Sequence, residues 1–266
     1  MFEIFQYDFM IRAFIAGIAI AIVAPLIGTF LVVRRYSLIA DTLAHVALLG
    51  VVTGFFLKLQ PLFMALLTSI ASSFGMEKLR HNKRLSGDSV LALFLSGSLA
   101  ITSVLISAVH GFSVNLFSFL FGSISTVSST DLYFIGGLVL LSLFFVVGFF
   151  KELFLVSVDD EIARASGIKT NFFNFLLIML AALTVSLSIK IVGALLIGAL
   201  MVIPVLAAIQ FRRGFSQTIF IAILVSLFSV MSGLFLSYYL GWASGGTIVI
   251  IALIIFLFSL FLNKTE

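Results

Sequence analysis

The sequence predicts an all-α polytopic membrane helical bundle with about nine transmembrane helices, and three observations carry that expectation. Hydrophobic residues make up 62% of the 266 residues and charged ones only 10%, with a mean hydropathy of +1.31, too little charge to solvate a globular surface. Apolar runs long enough to cross a bilayer follow one another almost end to end. The basic residues fall in short clusters between those runs rather than on one amphipathic face, so the net charge of +4 reports topology in a lipid bilayer and not a nucleic-acid partner. Cysteine is absent, which removes any disulfide framework.

Taken in order, windows of 17–25 residues give spans over 10–33, 38–57, 60–76, 87–109, 133–150, 171–189, 191–210, 216–238 and 246–262, all in one domain covering 1–266. The start, "MFEIFQYDFMIRAF", carries Glu3 and Asp8 in place of a basic n-region and reads as a retained span, not a signal peptide. Ala13, Gly17 and Ala21 lie four apart on the first span, as do Ala24 and Gly28, a spacing that lets helix backbones approach in lipid. Pro25 and Pro204 fall inside spans, where each removes a helical hydrogen bond. For Pro204 the readings are a plain kink or the hinge of a gate.

With nine crossings the loops alternate sides. One side receives Arg34, Arg35, Lys78, Arg80, Lys83, Arg84, Lys151, Arg164, Lys169, Arg212, Arg213 and Lys264; the other receives Arg12, Lys58 and Lys190. A split of 12 against 3 among the 15 Lys and Arg predicts an N-terminus outside and a C-terminus in the cytoplasm. The stretch "FSVNLFSFLFGSISTV", Phe112 to Val127, is short and serine-rich. If it crossed, every later loop would change sides, so it reads as a re-entrant or interfacial piece at the outer face.

Chemistry concentrates in "RRYSLIADTLAHVALLG", Arg34 to Gly50. Of the 11 acidic residues only Asp41 lies within a span; of the three histidines, His81 falls in a basic loop, His110 at an outer edge, and only His45 in the membrane. The two are i and i+4 on one helix, about 6 Å apart along the axis and on one face. A carboxylate and an imidazole are a usual ligand pair for a divalent transition metal. Ionisable groups in spans either line a pathway or hold a bundle together, and both readings stand. Lys190, at the turn between two outer span ends, either snorkels to the interface or tunes a pore mouth.

On the basic side, "SVDDEIARASGIKTN", Ser157 to Asn171, reads as a short helix. Asp159 or Asp160 is placed to cap its start, Ala163 and Ala165 favour helix, and Gly167 can end it. No G-x-x-x-x-G-K-[ST], H-E-x-x-H or G-x-S-x-G occurs, so the chain has no nucleotide site of its own and no protease signature. It is read as a transporter component and not an enzyme. Any uphill movement of a solute draws on a partner or an ion gradient.

Four blocks resemble the permease subunits of bacterial ABC importers for zinc, manganese or iron: "GTFLVVRRYSLIADTLAHVALLGV" (28–51), "NLFSFLFGSISTVSSTDL" (115–132), "DEIARASGIK" (160–169) and "ALTVSLSIKIVGALLIGALMVIPVLAA" (182–208). The stretch around Lys190, "SIKIVGALL", looks most like the zinc branch. The resemblance implies a type II importer-like fold in the bacterial inner membrane and a homodimer with its path along the subunit interface. It implies no cofactor bound by this chain, with Zn2+ (or Mn2+ or Fe2+) as cargo. An extracytoplasmic metal-binding protein would deliver the ion. Two cytoplasmic ATPase subunits would dock on a coupling helix at about 159–167, through Asp159, Asp160, Glu161, Ala163, Ala165 and Gly167. The family motif D-T-L-A-H falls on Asp41 and His45 and favours the pathway reading of that pair. A proton-coupled carrier acting alone, with Asp41 titrating, and a non-transporting scaffold are the competing classes.

Overall fold

The computed structural model describes residues 6–80, 86–108 and 113–262; Glu3, His81, Lys83, Arg84, His110, Phe112 and Lys264 lie outside them. Twelve α-helices occur among the described residues: α1 (Asp8–Val33), α2 (Ser37–Phe56), α3 (Pro61–Arg80), α4 (Gly87–Ala108), α5 (Ser113–Phe121), α6 (Ser129–Gly148), α7 (Phe150–Val158), α8 (Asp160–Ala165), α9 (Thr170–Ser188), α10 (Ile197–Ile209), α11 (Phe215–Leu240) and α12 (Ser244–Leu262). Eight of them, α1, α2, α3, α4, α6, α9, α11 and α12, are long and apolar enough to span a bilayer.

The seventh expected span, 191–210, is corrected from one continuous helix to a broken crossing. Residues 189–196 are turns, and α10 has only 13 residues, about 20 Å of helix against a hydrocarbon core of about 30 Å. Non-helical backbone is tolerated at membrane depth only when protein satisfies its polar groups. Here Ala194 N–H donates to the Phe119 carbonyl at 2.7 Å, Leu195 N–H to Leu120 at 3.2 Å, and Ser123 N–H to Lys190 at 2.9 Å. The Ser244 hydroxyl donates to the Ile191 carbonyl at 2.9 Å. Gly193 sits at φ +91°, and a Cβ there would lie 2.4 Å from the Leu120 oxygen. Only glycine fits that approach. The facing piece, α5, has nine residues, too few to cross.

The core is built around α1, which is far more buried than the peripheral α3, α4 and α6. It packs against α6, α9, α10 and α11. The small residues expected to permit close approach do so: Gly17 faces Val230 and Leu234 of α11, and a Cβ on Gly28 would lie 1.9 Å from the Met201 carbonyl of α10. Helix α2 packs against α3, α4, α9 and α10. Between α3 and α9, the buried Ser186 and Ser69 hydroxyls are 2.9 Å apart, polar glue of the kind lipid-embedded helices use.

The bundle has two distinct ends. At one, Phe30 is fully buried with its ring 6.3 Å from Phe150 and 5.2 Å from Phe215. This contact joins the ends of α1, α7 and α10–α11, with Arg34, Arg35, Lys151, Arg212 and Arg213 close by in sequence. Arg80 of α3 joins them by stacking on Tyr36 at 3.8 Å. We call this the basic end. At the opposite end Lys190, Ser123 and the start of α6 meet, and the Arg12 guanidinium donates to the Ser129 hydroxyl at 3.4 Å.

Candidate functional site

The α1–α2 link is three residues, Arg34 to Tyr36, and α2 starts at Ser37. With 1.5 Å of rise per residue, Asp41 lies about 6 Å and His45 about 12 Å into α2 from the basic end. Both share one face. His45 Nε2 is 3.9 Å from Asp41 Oδ1, too far for a hydrogen bond. Two ligand atoms each about 2.1 Å from a tetrahedral ion stand about 3.4 Å apart, so a small side-chain adjustment would let one ion sit between them. The Asp41 side chain is 45% exposed and that of His45 13%, while His45 Nδ1 is buried with no hydrogen-bond partner.

The broken crossing meets α2 at this point. Gly198, the second residue of α10, faces the Asp41 backbone: a Cβ on it would lie 3.3 Å from both Asp41 N and Cα. The first turn of a helix, with its unsatisfied N–H groups and positive dipole end, thus begins beside the aspartate. Discontinuous membrane helices commonly border substrate sites in transporters. Pro204 is buried farther along α10, where it removes the helical hydrogen bond to the Leu200 carbonyl. Among the described residues no group of three or more His, Cys, Asp or Glu could hold a metal.

At the basic end, α8 (Asp160–Ala165) occupies the place expected of a short capped helix. Asp159 is the cap: its Oδ1 accepts from Glu161 N–H at 2.9 Å and Ile162 N–H at 3.0 Å. Gly167, at φ +81°, ends it. Its N–H donates to Arg164 and the Ile168 N–H to Ala163, the paired closure of a Schellman motif. Ala163 is fully buried against the body of the protein, whereas Glu161, Ile162 and Ala165 are exposed. Behind α8 lies a cavity of ≈ 400 Å³ lined by Arg34, Tyr36, Glu77, Arg80, Asp160 and Asn174 among others. Arg34 is 6% exposed. Burial pushes its guanidinium below the usual arginine value, while Tyr36 and Asp160 act the other way.

Lys190 is paired with an acid. Its ammonium donates to both carboxylate oxygens of Asp131, at 2.8 and 3.0 Å, because Asp131 is fixed there by the capping box of α6 with Ser128. Sequence reasoning does not single out Asp131, Asn174 or Gly198. Asn174 left a faint signal as an amide inside an apolar run. The other two look like a span end and ordinary small-residue packing.

A half-exposed acid thus stands beside an imidazole in a bundle of helices long and apolar enough to span a membrane, bordered by a broken crossing. Residues 6–263 match the ABC 3 transport family, and the chain belongs to it. It is similar to the high-affinity zinc uptake system membrane protein ZnuB of Haemophilus influenzae, at 32% identity covering 96% of this chain and 98% of that protein. It is also similar to the manganese import system permease protein ScaB of Streptococcus gordonii, at 30% identity covering 98% and 94%. In three dimensions it resembles PsaBC from Streptococcus pneumoniae, solved in complex with Fab, with a TM-score of 0.85 at 30% identity over 96% of this chain and 92% of that one. The resemblance drawn from the four sequence blocks is borne out, and the chain is a multi-pass permease of the metal ABC transporter family.

Proposed function

We propose that this chain is the membrane-spanning subunit of an ATP-driven importer of divalent transition-metal ions, zinc first, and that Asp41 and His45 line the path. The observation that carries the reading is the exposure of Asp41. A carboxylate with 45% of its side chain uncovered on a span cannot face hydrocarbon without a cost of several kcal/mol. A second copy of the chain covers that face, and the cation moves along the seam between the two. Two ligands per protomer hold an ion weakly enough to release it, and the partner copy supplies further ones. The basic end is cytoplasmic, with the N-terminus outside and the C-terminus inside. An ATPase dimer docks on α8, a metal-binding protein delivers the ion at the opposite end, and ATP-driven closure switches the open side.

Manganese is the second reading, favoured by the likeness to the streptococcal manganese permease; carboxylate and imidazole serve both ions. Asp41→Ala and His45→Ala, each assayed for radiolabelled zinc and manganese uptake in cells lacking other importers, test the proposal. Uptake falls by roughly 30-fold or more for the ion that is cargo, the loss expected when a charge-assisted contact of about 2 kcal/mol or more disappears. Normal uptake at equal expression would remove the pair from the path. Transport by liposomes holding this chain alone would indicate the proton-coupled carrier instead.

A further inference from the structure

We infer that Arg34 is a positioning residue that ties α8 to the start of α2, so that a displacement of α8 reaches Asp41 and His45. The inference deepens the proposed function and rests on its reading of α8 as the docking helix and of the pair as the metal path.

The backbone of α8 packs against α7 and α9, and a side-chain bridge extends from it to the α1–α2 link. Arg34 Nη2 lies 3.6 Å from Asp160 Oδ1, and Arg34 Nη1 donates to Asn174 Oδ1. Asn174 Nδ2 in turn donates to Asp160 Oδ1 at 3.4 Å, closing a triangle between α8, α9 and the link. The second carboxylate oxygen of Asp160 is held at 2.6 Å by Arg164 of its own helix, so Asp160 is oriented with respect to α8 and follows it. Arg34 also lies over the Tyr36 ring at 4.8 Å, and Arg80 lies over that ring at 3.8 Å. The planar guanidinium suits this position because one rigid group serves a carboxylate, an amide and an aromatic face at once.

The link has little slack through which the movement could dissipate. Arg35 sits at φ +61°, a conformation that non-glycine residues adopt only when the surroundings impose it. Its N–H donates to Val32 at 2.9 Å and the Tyr36 N–H to Leu31 at 2.8 Å. From Arg34 the chain enters α2 within three residues and reaches Asp41 after one further helical turn. A pull on Arg34 is therefore delivered to the beginning of α2, where Asp41 abuts Gly198 of α10.

The test uses the assembled complex of permease, ATPase subunits and metal-binding protein in liposomes, with zinc and manganese uptake and ATP hydrolysis measured together. Arg34→Lys keeps the charge and loses the fork; Asn174→Leu keeps the bulk and loses the amide that joins Arg34 to Asp160. Each lowers the number of ions moved per ATP by about tenfold while hydrolysis stays within about twofold, and the double variant is no worse than either single one. Unchanged ions per ATP would overturn the inference. So would a joint, proportionate loss of assembly, hydrolysis and uptake in both variants, which is what a merely structural contact predicts. Asp41→Ala in the same liposomes separates the two layers. If it transports normally, the metal-path reading falls; if it is inactive while Arg34→Lys and Asn174→Leu remain coupled, only the inference falls.

Discussion

Two of the acid–base pairs among the described residues, Asp131–Lys190 and Asp41–His45, are built to opposite specifications. Asp131 and Lys190, at the end away from the arginine clusters, are 6% and 19% exposed. The ammonium reaches both carboxylate oxygens, and Ser128 donates its N–H and its hydroxyl to one of them at 2.8 Å each. Asp41 and His45 are 3.9 Å apart, the acid is nearly half exposed, and one imidazole nitrogen has no partner. The first pair satisfies itself within one protomer. The second leaves polar capacity unused within the protomer, which is what the proposed path requires. Burial and saturation of the partners, rather than the presence of charge in a membrane protein, separate a brace from a binding position.

Breaking the closed pair has the largest expected effect on stability. Lys190→Met leaves the Asp131 carboxylate buried without its cation and destabilises the protein by about 3–5 kcal/mol, read as a lowered melting temperature in detergent. Uptake per folded molecule is expected to be unchanged. If uptake falls while melting is preserved, Lys190 acts at a pore mouth and the contrast between the pairs fails. Gly198→Ala comes next. The added methyl presses on the Asp41 backbone, costs about 1–3 kcal/mol of overpacking, and lowers metal uptake through misplacement of Asp41. The smallest stability effect belongs to the open pair: Asp41→Asn changes unfolding by less than about 0.5 kcal/mol, although uptake collapses. A large loss of stability would mean that Asp41 braces the bundle as Asp131 does.

Much of this arrangement is legible in the sequence because its determinants are local. Run length marks the eight full spans, charge between runs distinguishes the two ends, and a capping aspartate with a glycine eight residues later bounds α8. Asp41 and His45 stand out because they are ionisable letters in an apolar run. What escapes depends on contacts between distant segments. "IVGALL" reads as the start of a span, yet Gly193 turns there to meet the Leu120 carbonyl, a partner over seventy positions upstream. The Lys190–Asp131 and Arg34–Asn174 contacts bridge separations of 59 and 140 residues, which no periodicity encodes.

The pinned turns at 189–196 also fix the rotational phase of α10. Because the N–H groups of Ala194 and Leu195 are anchored to α5, one extra residue inserted after Leu195 would rotate the following helix by about 100° and advance it by about 1.5 Å. The slot beside the aspartate would then receive Ile197, a branched side chain where even a methyl presses on the Asp41 backbone. Connecting segments ordinarily absorb changes in length with little penalty; in this one, length is what aims a helix.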